Sequence, residues 1–152
     1  MNPYLMFLTP FIAAGSAQFI KILIGHPRKL SFKDLFRLTY AGMPSGHSAF
    51  VSSLTMLIAL IQGFNSPIFL LSLVFTFIVI NDALKLRRYL GKQGEVINTL
   101  IKDLKEDQFL DEEYPLLLER IGHTKIEALV GSLLGILVSL IMFFLIDPFL
   151  FK

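Results

Sequence analysis

Four long apolar stretches in this sequence rule out most folds of soluble proteins. They span residues 4–24, 48–64, 67–80 and 128–146. The third stretch extends to Leu84 if Asp82 faces protein rather than lipid. About 20 apolar residues in a helix cross the hydrocarbon core of a bilayer, and ~17 suffice at the short end. Because backbone groups in lipid must bond within their own segment, we expect an all-α, polytopic bundle of four transmembrane helices.

The composition supports a membrane protein with one domain, residues 1–152. Only 17% of the residues are charged, whereas soluble domains carry about 25%. The absence of cysteine excludes disulfides and thiolate metal sites. A net charge of +2 without a long basic tract does not indicate a nucleic-acid partner. The sequence leaves the oligomeric state open, and a homo-oligomer is compatible with it.

The polar stretch 87–120 contains one further helical pattern. Its apolar residues recur at helical spacing, at Val96, Ile97, Leu100, Ile101 and Leu104. Charged residues fill the other face, as in an amphipathic helix that lies in the membrane interface. We expect this helix near residues 92–107. A solvated helix packed on the end of the bundle is the alternative, and the pattern does not separate the two.

The turn and the charges predict how the helices thread the membrane. Gly, Asn and Pro in the link 62–67 indicate a tight turn, so the second and third helices form an antiparallel hairpin. One side of the membrane then carries four helix ends and every Lys and Arg except Lys152. Because Lys and Arg in short loops mark the cytoplasmic side, we expect this basic side to face the cytoplasm in an inner (cytoplasmic) membrane protein.

Four groups of residues suited to phosphate chemistry fall on the basic side. They are Lys21 with Arg28, the turn Pro44-Ser45-Gly46-His47, Asp82 with Arg87 and Arg88, and His123 with Glu127. Small residues in the turn present N–H groups at a helix start, where anions bind. His123 and Glu127 are four residues apart and share one helix face. A carboxylate on one ring nitrogen leaves the other free as a nucleophile.

Three of these groups, in this order, resemble the signature motifs of the type-2 phosphatidic acid phosphatase superfamily, which includes the vanadium haloperoxidases. The closer match is its small divergent branch of acid phosphatase-like membrane proteins. That match rests on Gly-Met-Pro-Ser-Gly-His-Ser-Ala at 42–49, Asp-Ala-x-x-x-Arg-Arg at 82–88, Gly-Lys-Gln at 91–93 and Gly-His-Thr-x-x-Glu at 122–127. The resemblance extends from Gln18 to about Gly135, most of the chain.

The resemblance implies a phosphatase that needs no metal or other cofactor and acts through a phosphohistidine. Carried over by position, His123 is the nucleophile and Glu127 orients it. His47 protonates the leaving oxygen and later activates water. Lys21, Arg28 and the amides near Ser45 and Gly46 hold the phosphoryl oxygens. A lipid phosphate monoester or diphosphate in the bilayer is the substrate that the resemblance implies.

The sequence departs from the superfamily pattern at three positions. Lys29 stands where the superfamily has Pro, and Glu127 replaces a shorter Asp. Leu117 occupies the position of an Arg, six residues before the nucleophile. A third cation must therefore come from elsewhere. Arg87 or Arg88, one of them held by Asp82, is our candidate, and Arg120 is a weaker one.

Two other functions fit parts of the pattern. His47, His123 and Glu127 are a donor set that a metal-dependent membrane hydrolase would use, although the surrounding cations disfavour a divalent ion. A non-catalytic protein that binds or transports anionic lipids on a phosphatase-like scaffold is the second alternative. The sequence does not identify the lipid. His26 has no role in either scheme beyond anchoring at the interface.

Overall fold

A computed structural model describes residues 3–24, 42–106, 114–119 and 121–146. Its α-helices are α1 (Pro3–Ile24), α2 (Gly46–Gln62), α3 (Pro67–Asn81), α4 (Arg87–Glu106) and α5 (Lys125–Ile141). Two π-helical turns, Asp82–Leu86 and Met142–Ile146, follow α3 and α5. No strand occurs in the described ranges, so the predicted all-α membrane bundle is confirmed.

In the described part of the chain, three helical segments are long and apolar enough to cross a membrane. They are Pro3–Ile24, the continuous helix Pro67–Glu106 and Lys125–Leu145. The remaining apolar helix, α2, has 17 residues, which is near the lower limit of about 17 for a transmembrane helix. The predicted tight turn is present, because Gly63 has a φ of 85° and Ser66 caps the start of α3. Together α2 and α3 form the expected hairpin.

The amphipathic segment differs from our expectation in one respect. It is not a separate helix, because α4 continues α3 through the π-helical turn without a break. Its apolar side chains are largely exposed, with Val96 60% and Leu100 54% accessible. The segment 114–119 packs along the opposite side of α4, where Asn98 binds both the N–H and the C=O of Leu117. Whether α4 lies on a membrane surface stays a prediction.

Helix α2 forms the centre of the bundle and packs against α1, α3 and α5. Small residues permit this, since a Cβ on Gly131 or Gly135 would overlap the backbone of Ser45 or Ala49. The Gly131-x-x-x-Gly135 spacing thus serves close packing of α5 against α2. Buried hydroxyls link the same helices. Ser53 and Ser139 Oγ atoms lie 2.7 Å apart between α2 and α5, and Thr55 and Thr76 Oγ1 atoms 2.7 Å apart between α2 and α3.

One side of the bundle brings together the end of α1, the starts of α2 and α5, and the π-helical turn after α3. The Ser45 N–H, just before α2, donates to the C=O of Glu127 in the first turn of α5 at 3.0 Å. The His123 N–H, just before α5, donates to the C=O of Ala83 in the π-helical turn at 3.0 Å. The end of α1 joins them, because the Lys21 side chain lies against Gly42. These contacts bring the motifs together.

Candidate active site

Two histidines from different helix ends lie side by side at this junction. The ring centroids of His47 and His123 are 6.3 Å apart, with 55° between the ring planes. His47 stands in the first turn of α2 and His123 two residues before α5. An atom in reaction lies about 3 Å from each group that acts on it. The separation therefore suits one phosphorus atom and its leaving oxygen between the two rings.

His123 is fixed through its backbone and through its ring. Its N–H is bound by Ala83, and its ring Nδ1 lies 3.2 Å from Oε2 of Glu127. The same carboxylate oxygen accepts the Thr124 N–H at 2.9 Å, and the Thr124 hydroxyl accepts the Glu127 N–H at 3.2 Å. This reciprocal pair is a capping box, which begins α5. A hydrogen bond from Nδ1–H to Glu127 leaves Nε2 with its lone pair.

The turn before α2 places His47 and is itself tightly held. Ser45 is fully buried and caps α2, its hydroxyl accepting the Ser48 N–H at 3.4 Å. Because the Ser45 N–H already binds Glu127, it is not free for a phosphate oxygen. The phosphate contact predicted for this turn then falls to the Gly46 amide. His47 Nδ1 is buried and has no hydrogen-bond partner within the described residues.

Burial and two nearby cations lower the pKa of His123. Lys21, at the end of α1, and Arg87, after the π-helical turn, both lower the pKa of His123 through their charge. Burial is the larger cause of that lowered pKa, while the hydrogen bond to Glu127 raises it. Asp82 holds Arg87 in place, with Oδ2 and Nε 2.9 Å apart. Of the two arginines predicted to supply the third cation, Arg87 is thus the one beside the histidines.

Arg88 has a different environment from Arg87. It lines a cavity of about 370 Å³, which His123 borders too. Leu117, at the position of the missing Arg, packs against α4, where Asn98 binds its backbone. Arg28, Arg120 and His26 lie outside the described residues.

A second cavity, of about 350 Å³, opens beside His47. Apart from His47 its walls are apolar and come from α1, α2 and α3, with Phe11, Phe50 and Phe75 the largest side chains. Phe11 and Phe75 are about half exposed on the outer surface of the bundle, at 52% and 50%. The cavity therefore connects the histidine pair with the lipid-facing side of the helices.

Sequence reasoning missed these two cavities. The apolar cavity is formed by residues on three helices, and no motif links them. The cavity beside His123 does have a signal, because Lys85, Arg88 and Lys92 recur at spacings of three and four on one helix face. No three His, Cys, Asp or Glu side chains of the described segments are grouped so that they could hold a metal ion.

The family model described as the divergent PAP2 family matches residues 3–138. The chain belongs to this family. An uncharacterized membrane protein of Bacillus subtilis (strain 168), YuiD, is 36% identical over 148 residues, a match covering 89% of this chain and 91% of that protein. No solved structure matches the chain.

Membership of the divergent PAP2 family and the apolar helices identify an integral membrane protein with a phosphatase-like scaffold. The match runs through all the motifs from Lys21 to Glu127. The resemblance seen in the sequence is thereby confirmed at the level of the family. The roles of the single residues stay predictions.

Proposed function

We propose that this protein is a membrane phosphatase that hydrolyses a lipid phosphate through a phosphohistidine, without a metal, from the cytoplasmic side of the inner membrane. One observation carries the proposal. The histidine pair borders an apolar cavity at His47, and the charges of Lys21 and Arg87 act on His123. A phosphate ester with a hydrocarbon tail has the matching polarity, since its head needs cations and its tail an apolar surface.

In the first step Nε2 of His123 attacks phosphorus, and the bond from phosphorus to the leaving oxygen breaks. His47, protonated at the start, gives its proton to that oxygen, which leaves as an alcohol. Lys21 and Arg87 balance the charge on the phosphoryl oxygens, as phosphoryl transfer requires. Glu127 keeps the proton on Nδ1, so that the lone pair of Nε2 faces phosphorus.

In the second step the neutral His47 takes a proton from water, and the water oxygen attacks phosphorus. The bond from phosphorus to Nε2 breaks, which frees His123 and yields inorganic phosphate. The sum of the two steps is ester plus water giving alcohol plus phosphate. Both histidines end in the protonation states in which they began.

The apolar cavity favours a leaving alcohol that carries hydrocarbon. Its walls meet His47, the group that protonates the leaving oxygen, so the alcohol carbon chain would lie along Phe11, Phe50 and Phe75. Burial of apolar surface there contributes about 25 cal/mol for each Å² removed from water. Phosphatidic acid and prenyl phosphates fit this description. The polar leaving group of phosphatidylglycerophosphate fits it less well.

The test is release of inorganic phosphate by purified protein in detergent with a chelator present. Phosphatidic acid, phosphatidylglycerophosphate and prenyl phosphates form the substrate panel. We expect turnover in chelator and inhibition by vanadate, which mimics the five-coordinate phosphoryl group. Activity that appears only after a divalent cation is added would contradict the mechanism. Tight binding of anionic lipid without turnover of any panel member would favour the non-catalytic alternative.

A further inference from the structure

The cavity beside His123 contains cations that the proposed reaction does not use. Its polar lining is Lys85, Arg88, Tyr89, Lys92, His123 and Lys125. Of the described groups assigned to phosphoryl transfer only His123 borders it, because His47, Lys21 and Arg87 are not among its described lining residues. We call it the basic cavity. Its volume, about 370 Å³, is large enough for a phosphate group with its immediate substituent.

The basic cavity is built by rigid elements. Lys85, Arg88 and Lys92 follow one another on a single face of the helix that runs from the π-helical turn into α4. The opposite wall is the start of α5, where Lys125 is the first helical residue. Gly122 permits the two walls to approach, because a Cβ there would lie 2.9 Å from the backbone nitrogen of Arg88. Its φ of 119° also favours glycine.

Among the described residues, no protein group balances the charges of the basic cavity. The described residues that line it include no carboxylate. Within the described part of the chain, none of these four cations forms an ion pair, whereas Arg87 next to them is paired with Asp82. The N-terminus of α5 adds partial positive charge to the same wall. Four unpaired cations around one concave site attract an anion.

The geometry points to a second phosphate-binding site in the basic cavity, next to the site of phosphoryl transfer and sharing only His123 with it. Its ligand is a phosphate group held by Arg88 in a two-bond fork and by the flanking lysines as point charges. The group comes either from the head of an anionic phospholipid or from inorganic phosphate in solution. Basic pockets at helix ends on the cytoplasmic side bind phospholipid heads. This proposal goes beyond the phosphatase activity and does not require it.

Two binding measurements on protein in phosphatidylcholine nanodiscs test the site. In the first, inorganic phosphate is titrated and followed by phosphorus NMR. In the second, the discs contain phosphatidylglycerol, and native mass spectrometry counts the lipid that stays bound. Each compares the wild type with Lys85→Ala/Lys92→Ala. Lys102→Ala is the matched control, because Lys102 is an exposed cation of α4 that does not line the cavity.

We expect the double variant to weaken one of the two ligands about tenfold, and Lys102→Ala to weaken neither by more than about twofold. The arm that responds identifies the source of the phosphate. Equal losses in the double variant and the control would overturn the proposal, since they would reflect net charge alone. Lack of any loss in both arms would overturn it as well.

Two controls distinguish a loss of binding from a loss of the fold or of activity. Thermal unfolding of each variant shows whether it is folded, and Lys92→Glu replaces the double variant if that one is not. Neither arm depends on turnover, so an inactive wild type would refute the proposed phosphatase and leave the site testable. Conversely, unchanged binding of both ligands in an active protein would refute only the second site.

Discussion

Glu127 combines two tasks at the scale of single residues. Its Oε2 atom binds Nδ1 of His123 and also caps the Thr124 N–H in the first turn of α5. The residue that starts the helix therefore also orients the proposed nucleophile. A Gln at this position keeps the capping function, because Gln serves at this point of a capping box as Glu does. The substitution removes only the negative charge beside Nδ1 of His123.

We predict that Glu127→Gln folds normally but lowers kcat at least ~100-fold, since a neutral amide no longer fixes the tautomer of His123. Thr124→Ala is its control. It should lower the free energy of unfolding by about 1 kcal/mol through loss of the cap and largely retain turnover. Phosphate release and thermal unfolding of both variants check this. Full activity of Glu127→Gln would show that Glu127 is only a cap.

The pKa of His123 sets the acid side of the pH profile. Burial lowers this pKa from its ordinary value of about 6.5. His123 therefore stays neutral, and able to attack, when the pH falls somewhat below that value. We predict that the acid limb of kcat/KM lies below pH ~6.5. Because the Glu127 hydrogen bond raises the pKa, the limb should move to still lower pH in Glu127→Gln. A shift to higher pH would contradict this assignment.

Substitution of the two histidines should have different effects on the reaction. We predict that His123→Ala abolishes both turnover and the phosphohistidine. His47→Ala should still form the phosphohistidine from a substrate with a good leaving group, such as p-nitrophenyl phosphate, because only proton transfer is lost. Labelling with a substrate that carries radioactive phosphorus, followed by an alkaline work-up that preserves the acid-labile phosphohistidine, distinguishes them. Undiminished turnover in His123→Ala would end the proposed mechanism.

At the scale of elements, the π-helical turn decides where His123 lies. The turn Asp82–Leu86 joins α3 to α4, and the carbonyl of Ala83 within it accepts the His123 N–H. Asp82 and Arg87 flank the same turn and are paired across it. Single π-helical turns occur frequently at functional sites because the wider turn redirects side chains and backbone groups. Arg87, which follows the turn, is paired with Asp82, and Arg88 lines the basic cavity.

The contact between α5 and α2 should be sensitive to one methyl group. In Gly131→Ala the new Cβ would lie 2.3 Å from the Ser45 carbonyl oxygen, so α5 must move away from the turn that carries His47. We predict a loss of about 1–3 kcal/mol in the free energy of unfolding and a fall in turnover. Gly15→Ala on α1 is the control, because nothing lies within 4 Å of its new Cβ. Equal unfolding temperatures of the two variants would contradict this packing.

At the scale of the whole molecule, orientation follows from charge. The basic cavity offers a binding role for Lys85, Lys92 and Lys125, which otherwise count only as topology signals. Other cations predicted on the same side remain, namely Lys29, Lys33, Arg37, Lys102, Lys105 and Arg120. They still outnumber Lys152 on the other side. The expected orientation, with the site in the cytoplasm, therefore does not depend on the cavity residues.

We predict that Asn65→Cys, in the α2–α3 turn, reacts with an impermeant thiol reagent in intact cells. Asp103→Cys, near the end of α4, should react only after the cells are opened, because that end lies on the side of the histidines. The chain contains no cysteine of its own, so each label reports one position. Labelling of Asp103→Cys but not of Asn65→Cys in intact cells would place the site outside.

The sequence by itself determined the fold class, the hairpin turn and the family. These depend on properties that one segment carries alone, such as apolar length, a Gly-x-x-Ser-Pro turn at Gly63–Pro67 or an ordered set of motifs. The pairing of His123 with Glu127 could be read in the same way, because residues four apart on a helix are neighbours whatever the rest of the chain does. Helical periodicity is a local property.

Only the tertiary structure decided which groups surround the histidines. The sequence treated Arg87 and Arg88 as equivalent, but Arg87 is paired with Asp82 whereas Arg88 lines the basic cavity. It also offered the Ser45 amide to phosphate, although that amide is used by the C=O of Glu127 on another helix. Such contacts join segments some eighty residues apart. They follow from how closely α2 and α5 pack, which the small residues permit but no local pattern specifies.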